Sequence, residues 1–263
     1  NEGQGFHSVY KEDQMNFNGS WEQVIAAPFF NPSPVAPDEI TDMAIIGLAA
    51  GTTAREAAAV FPNVEIDGIE IDPKIVEVGQ KYFDMNEPNL NVIVQDGRWA
   101  ITKSAKQYDV ISVDAYRPPY IPWHMTTQEF FQVIHDHLKE DGVLVINIGR
   151  SPNDRRLINS LYATIQTVFP SLYVTDLSDS FNSILFATKK PTTLDNFLNN
   201  YLQLYGNTST PSLILEVMAA TYDGLNPEVQ EGVIFTDDLA PVERITNSMV
   251  MNFIFAGELE TLK

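Results

Sequence analysis

The chain has no cysteine, only 16 basic residues against 35 acidic ones, and no apolar run of bilayer length. The missing thiols exclude disulfides, thiolate nucleophiles and Cys-based zinc sites. They agree with a reducing compartment, so the expected location is cytoplasmic. A membrane span needs about 20 consecutive apolar residues. No run approaches this, and no basic stretch followed by an apolar one marks a signal peptide, so no membrane contact is expected of this segment. The chain begins at Asn1 without a methionine, which fits a piece of a longer protein, membrane-anchored or otherwise. The formal net charge of −19 repels phosphate backbones and argues against nucleic acid as a partner. The same acidity attracts a polyamine or another cation, or simply keeps the surface solvated. Gly-x-Ser-x-Gly and the phosphate-cradling Gly-Lys-Ser/Thr are both absent. His7 and His124 stand alone, and His135 and His137, two apart on one helix, cannot face the same ion. No metal is expected.

What is present is an alternation. Short apolar runs at 43–47, 64–71, 90–94, 108–113 and 143–148 read as buried strands, and 172–176 with 183–188 as a final pair. Between them lie helical patterns at 52–61, after Pro73, from Thr126 or Thr127 to about residue 138, and at 154–169, with Asp141-Gly142 turning the chain into the run at 143–148. That order predicts an α/β fold: a mostly parallel seven-stranded sheet with right-handed crossovers and helices on both faces. Residues 1–37 read as a short β-rich segment with a helix near 20–27, closed by Pro32, Pro34 and Pro37. The core spans 38–190. Residues 191–263 form a helical extension, with helices at 193–205 and 211–222.

Polar residues mark the ends of successive runs, and an open parallel sheet binds its ligand outside the carboxyl ends of its strands. Gly47-Leu48-Ala49-Ala50-Gly51 is a small-residue turn leading into a helix N-terminus, where backbone N–H groups can meet a ligand. Glu70, about 20 residues on, can accept from both hydroxyls of a ribose. It would repel a phosphate, so a plain nucleoside suits it better. Asp72 is the better cap for the helix that Pro73 opens. Asp96-Gly97 can receive an exocyclic amine and let a base approach the backbone, or it can cap the next helix. Asp114 can take a proton from an amine nucleophile or stabilise a nearby cation. The loop 115–124, rich in proline and aromatics, reads as a lid bearing Tyr116, Tyr120 and Trp123, or as a packed loop or subunit contact. Asp237-Asp238 can cap a helix or reach the pocket.

With these motifs in hand, the chain resembles the spermidine synthase (polyamine aminopropyltransferase) superfamily. The resemblance covers roughly 1–189 and is clearest over 43–148. Ile45-Ile46-Gly47 through Arg55-Glu56 is similar to the family's strand, glycine-rich loop and Arg-Glu pair. Glu70-Ile71-Asp72-Pro73 resembles its ribose motif, and Asp96-Gly97-Arg98 its adenine motif. Asp114 through Phe131 aligns with the stretch that starts at its catalytic aspartate. The resemblance implies a Rossmann-like class I methyltransferase fold and a possible homodimer. It implies an adenosyl cofactor: S-adenosylmethionine, its decarboxylated form or methylthioadenosine. Cofactor contacts are expected at Gly47, Ala49, Gly51, Glu70, Ile71, Asp96, Gly97 and Asp114, with Asp114 catalytic. Substrate contacts are expected at Gln4, Trp21, Tyr116, Arg117, Tyr120 and Trp123.

The departures from the family pattern lie on the amine side. Ala50 replaces a loop aspartate, Arg117 replaces the second aspartate of Asp-Ser-x-Asp-Pro, and Trp21-Glu22-Gln23 replaces Tyr-His/Gln-Glu. A like charge at ~4 Å costs on the order of 1 kcal/mol in water and ~4 kcal/mol at a protein-like dielectric. A diamine is therefore disfavoured, and a small-molecule acceptor that is neutral or carries a carboxylate for Arg117 is expected. Ala50 and Gly51 are expected to leave room for a cofactor carboxyl group, which favours S-adenosylmethionine itself and transfer of a methyl or alkyl group. The alternatives are an aminopropyltransferase with altered amine specificity, and a non-catalytic nucleoside-binding domain.

Overall fold

The computed structural model describes residues 6–117, 120–178 and 180–255. Seven strands form one sheet in the order β3-β2-β1-β4-β5-β7-β6. They are β1 (Asp42–Ile46), β2 (Glu65–Glu70), β3 (Leu90–Val94), β4 (Tyr108–Val113), β5 (Leu138–Gly149), β6 (Ser171–Asp176) and β7 (Asn182–Thr188). The first five run parallel, and β7 is antiparallel to both β5 and β6. Helices α1 (Thr52–Val60), α2 (Pro73–Tyr82), α3 (Gly97–Lys103), α4 (Gln128–Asp136) and α5 (Arg156–Gln166) connect the strands. Three more, α6 (Leu194–Tyr205), α7 (Ser212–Asp223) and α8 (Val242–Phe255), follow the sheet. No helix among the described residues is long and apolar enough to cross a membrane.

The period-two alternation of the strands builds two cores, one on each face. Met43 and Ile45 of β1 join the core that also holds α1, α6 and α7. Ala44 and Ile46 join the opposite core, with α3, α4, α5 and α8. Strand order reverses between β1 and β4, which opens a crevice at their carboxyl ends.

Three sequence readings change. Residues 6–37 contain no strand, so the β-rich reading of the N-terminal segment fails over its described part. The helix expected near 20–27 is a 3-10 helix, Glu22–Phe30, with all nine residues buried. Pro28 lies inside it, where an α-helix would lose a backbone bond and clash, and packing on every side leaves no amphipathic period to read. The turn expected at Asp141-Gly142 is instead absorbed into β5. Tyr108 pairs with Leu138 and Val110 with Val143, so the intervening residues bulge. Lys139 on that bulge bonds Asp42 and Asp109 at 2.6 and 2.9 Å.

Candidate functional site

The loop after β1 turns through three residues at positive φ: Gly47, Ala49 and Gly51. Gly47 has a steric reason to lack a side chain. A Cβ there would lie 2.4 Å from the backbone oxygen of Asp114. This close approach brings the ends of β1 and β4 together, and the Asp114 N–H donates to Ile46 at 2.8 Å. Gly47→Ala should therefore cost about 2–4 kcal/mol, from left-handed strain plus backbone displacement, in a urea denaturation.

Gly51 is different. The space beside it is filled by Met85, whose Cγ would lie 2.4 Å from an added Cβ. Ala50 is buried, and its N–H donates to Ser8 Oγ at 2.9 Å. The room expected here for a cofactor carboxyl group is thus taken by Met85 and by the N-terminal segment. That segment is tied down again where Val9 exchanges two bonds with Thr52 Oγ1.

Glu70 ends β2 and is buried. Oε2 accepts from the Ala49 N–H and Oε1 from the Asp72 N–H, both at 3.0 Å. A carboxylate oxygen has a second lone pair beyond the one each of these bonds uses. Asp72 caps α2, accepting from Lys74 at 2.8 Å. Ile71, beside Glu70, leaves 68% of its surface exposed, and Val94, Trp99 and Trp123 around the same rim are also exposed.

Asp96 caps α3 through Oδ1, which accepts from Trp99 at 3.0 Å. Its Oδ2 meets His124 Nε2 at 2.9 Å. A ligand amine would thus share this carboxylate with a cap and an imidazole. Gly97 is needed for packing, because a Cβ would lie 2.3 Å from Ile46 Cγ2. Arg98 extends the group. It donates to the His124 carbonyl at 3.0 Å and grips Asp237 through two 2.7 Å bonds. Asp237 also accepts from Thr127 Oγ1, the cap of α4, and its carboxyl is held below the usual range mainly by Arg98. The C-terminal tail therefore reaches the rim of the site.

Asp114 lies just past β4. Oδ1 accepts from Asn147 Nδ2 at 2.9 Å. Among the described residues nothing donates to Oδ2. The carboxyl sits in a recess that solvent still reaches in part, and burial raises its pKa; the Asn147 bond and the charge of His7 pull it back down. Asn147 Oδ1 accepts in turn from Asn182 at 2.7 Å. Tyr116 donates to the Asn147 carbonyl at 3.1 Å and accepts from the Gly149 N–H at 2.7 Å. Burial raises the Tyr116 phenol far above its ordinary value, so it stays protonated.

The remaining expected contacts are dispersed. Arg117 is exposed, and its backbone pairs with that of Tyr120. The Tyr120 hydroxyl donates to Asn247 of α8 at 2.6 Å. Trp123 is 46% exposed and edge-on to His124. The Trp21 indole donates to the His7 carbonyl at 3.2 Å, inside the N-terminal segment. Gln4 lies outside the described residues. Sequence reasoning missed Ser8, Asn147, and the roles of His124 and Arg98. A signal existed for Asn147, the one polar residue in the run 143–148.

A family model, the spermine/spermidine synthase domain, matches residues 33–190, which is more than half of the chain. The chain belongs to that family. The matched segment holds the whole sheet and every strand-end residue above, and leaves outside it residues 6–32 and helices α6 to α8. A probable polyamine aminopropyl transferase of Bifidobacterium longum is 33% identical over 91% of this chain and 55% of its own length. The chain spans about half the length of the curated relatives it matches. Spermidine synthase from Thermotoga maritima superposes with a TM-score of 0.62 at 24% identity, over 77% of this chain and 70% of that one. Human methyltransferase-like protein 13, solved in complex with SAH, superposes with a TM-score of 0.59 at 25% identity, over 80% and 94%. The fold is the Rossmann-like methyltransferase fold of this spermidine synthase-like family.

Proposed function

We propose that this chain is a transferase that binds an adenosyl sulfonium and passes a methyl or alkyl group to a small acceptor that is not a polyamine. The observation that carries the reading is Asp114: a carboxyl at the sheet's switch point, fixed through one oxygen by Asn147 and, among the described residues, unpartnered at the other. The donor set fits the cofactor. Glu70 would hold the ribose hydroxyls, Ile71 offers an exposed apolar face to the base, and Asp96 would take the exocyclic amine alongside His124. When bound, the sulfonium supplies an electrophilic carbon, whose bond to sulfur breaks with its electron pair returning to sulfur as the acceptor's lone pair arrives. Asp114 Oδ2 would receive the proton that the acceptor loses. The rest is positioning, in which held reactants gain most of the rate.

The partners argue for the methyltransferase side of the family. By the family pattern Arg117 replaces a carboxylate that would draw a diamine; it is exposed, and a guanidinium fork there would favour a carboxylate instead. The name of the Bifidobacterium relative favours a second reading, aminopropyl transfer, and one experiment separates the two. Thermal shifts are compared for S-adenosylmethionine, its decarboxylated form and methylthioadenosine. A shift with methylthioadenosine is expected, weakened about tenfold or more in Glu70→Ala, and methyl transfer requires a shift with S-adenosylmethionine as well. Preference for the decarboxylated form, with turnover of diamines, would favour the second reading. No shift with any of the three would overturn both.

A further inference from the structure

A second recess, of about 280 Å³, opens between the carboxyl end of β5, the start of α5 and α8. Leu157, Phe181, Met249 and Phe253 give it an apolar wall, Arg150 lines it as well, and no carboxylate among the described residues does. Tyr116 is the wall it shares with the strand-end site. The Tyr116 hydroxyl is fully used between Asn147 and Gly149, and Asn147 is the residue that holds Asp114. The recess thus abuts the proposed proton acceptor on the side away from Glu70 and Asp96.

Two polar groups that line it have no hydrogen-bond partner among the described residues: the Arg150 Nε–H, 3.8 Å from Asp176, and the Thr246 hydroxyl. Thr246 is 7% exposed. An unpaired buried hydroxyl is costly, and folded proteins keep few of them. A helical threonine has two accessible χ1 rotamers, and turning between them exchanges hydroxyl for methyl. A ligand oxygen in the recess would give that hydroxyl a partner. Size sets the rest of the occupant. A cavity of about 150 Å³ takes a benzene, so this one accommodates an arm up to roughly bicyclic size. An ammonium here would be buried beside the Arg150 guanidinium, a like charge.

We infer that this recess holds the acceptor: an aromatic or branched aliphatic arm bearing one oxygen acceptor, with its nucleophile directed past Tyr116 to Asp114. The assignment of the occupant as acceptor rests on the transferase reading; the binding of an apolar arm does not.

The test uses 3-phenylpropionamide, a neutral ring with one carbonyl, titrated into protein with 13C-labelled methionine methyls. The Met249 signal is assigned through Met249→Leu. The probe should shift Met249, bind at least tenfold more weakly to Val250→Trp, which fills the recess from its rim, and about threefold more weakly to Thr246→Val. Putrescine should leave Met249 unmoved. The same shift should persist under saturating methylthioadenosine, because the two subsites lie on opposite sides of Asp114. An unmoved Met249, or equal affinity in Val250→Trp, would overturn the pocket. Mutual exclusion of probe and nucleoside would overturn its assignment to the acceptor. If the probe binds as described while no nucleoside does, the transferase reading falls and the pocket stands.

Discussion

Asp114→Asn should lower the rate of group transfer by about 10²–10⁴ while leaving nucleoside binding nearly unchanged. Asparagine has the same shape and can still accept from Asn147 through its carbonyl oxygen. It then presents an N–H₂ where Oδ2 stood, a donor that cannot take a proton from the acceptor. The pH profile gives a sharper result. Asp114 works only as a carboxylate, and burial raises its pKa above the ordinary aspartate value of about 4. Activity should therefore fall, as pH decreases, at a higher pH than for an exposed aspartate. Two groups hold that value down, the Asn147 hydrogen bond and the His7 charge. Asn147→Leu and His7→Ala should each move the acid limb further up, because each removes something that favours the ionised form. Single-turnover rates across pH would check this. A limb at the same pH in all three proteins, or more than a tenth of the rate surviving in Asp114→Asn, would remove Asp114 from the role.

The parts of the fold that were legible in the sequence have a local cause. Six of the seven strands lie within a residue or two of their apolar runs, β5 being the exception; in β1 and β7 burial on both faces writes itself as a near-continuous apolar run. Asp72 before Pro73 and Thr127 before Gln128 announced their helices, and both cap them. What stayed hidden depends on distant partners. The 3-10 helix Glu22–Phe30 is shaped by packing against α1, α6 and α7, and its sequence has no period that would show this. The β5 bulge is fixed by Lys139 reaching acids on β1 and β4. Asp237 finds Arg98 139 positions away in sequence. Gly51 reads as an open ligand loop until Met85 is seen filling the space beside it. The site was legible at its strand ends, where position alone carries the argument. It was illegible where occupancy decides, since a sequence does not show which amide or cavity is already taken.

The stability of the protein should fall as pH rises from about 5 toward 10, and Glu56 should be the main cause. Glu56 lies on α1, is fully buried, and neither carboxyl oxygen has a hydrogen-bond partner among the described residues. Its pKa is pushed up to about 10, first by burial and then by the charge of Glu22. Glu22 cannot turn away, since its carboxylate accepts from the backbone of Phe17 and from Gly19 at 2.9 Å. The folded-state value thus lies above the unfolded one of 4.5. Below pH 4.5 both states carry the proton and the contribution is fully present. Between 4.5 and about 10 the unfolded chain releases the proton and the folded chain keeps it, so the folding constant falls about tenfold per pH unit. Above that range both states are ionised and the slope ends. Glu56→Gln removes this titration. It buries an amide without partners, which costs a similar amount at every pH, so only the slope tests the argument. Urea denaturation at pH 5, 7 and 9 should show the variant gaining on the wild type by a factor on the order of 10⁴ across the range; parallel profiles would mean that Glu56 is ionised in the fold. The site is coupled to this titration because α1 begins at Thr52, directly after the loop at Gly47–Gly51, and the segment that Glu22 holds is the one whose Ser8 receives the Ala50 N–H. Ionising Glu56 sets two negative charges against each other between α1 and the 3-10 helix that carries Glu22, so the loop facing the nucleoside should loosen before the sheet does, and nucleoside affinity should decline at a lower pH than global stability.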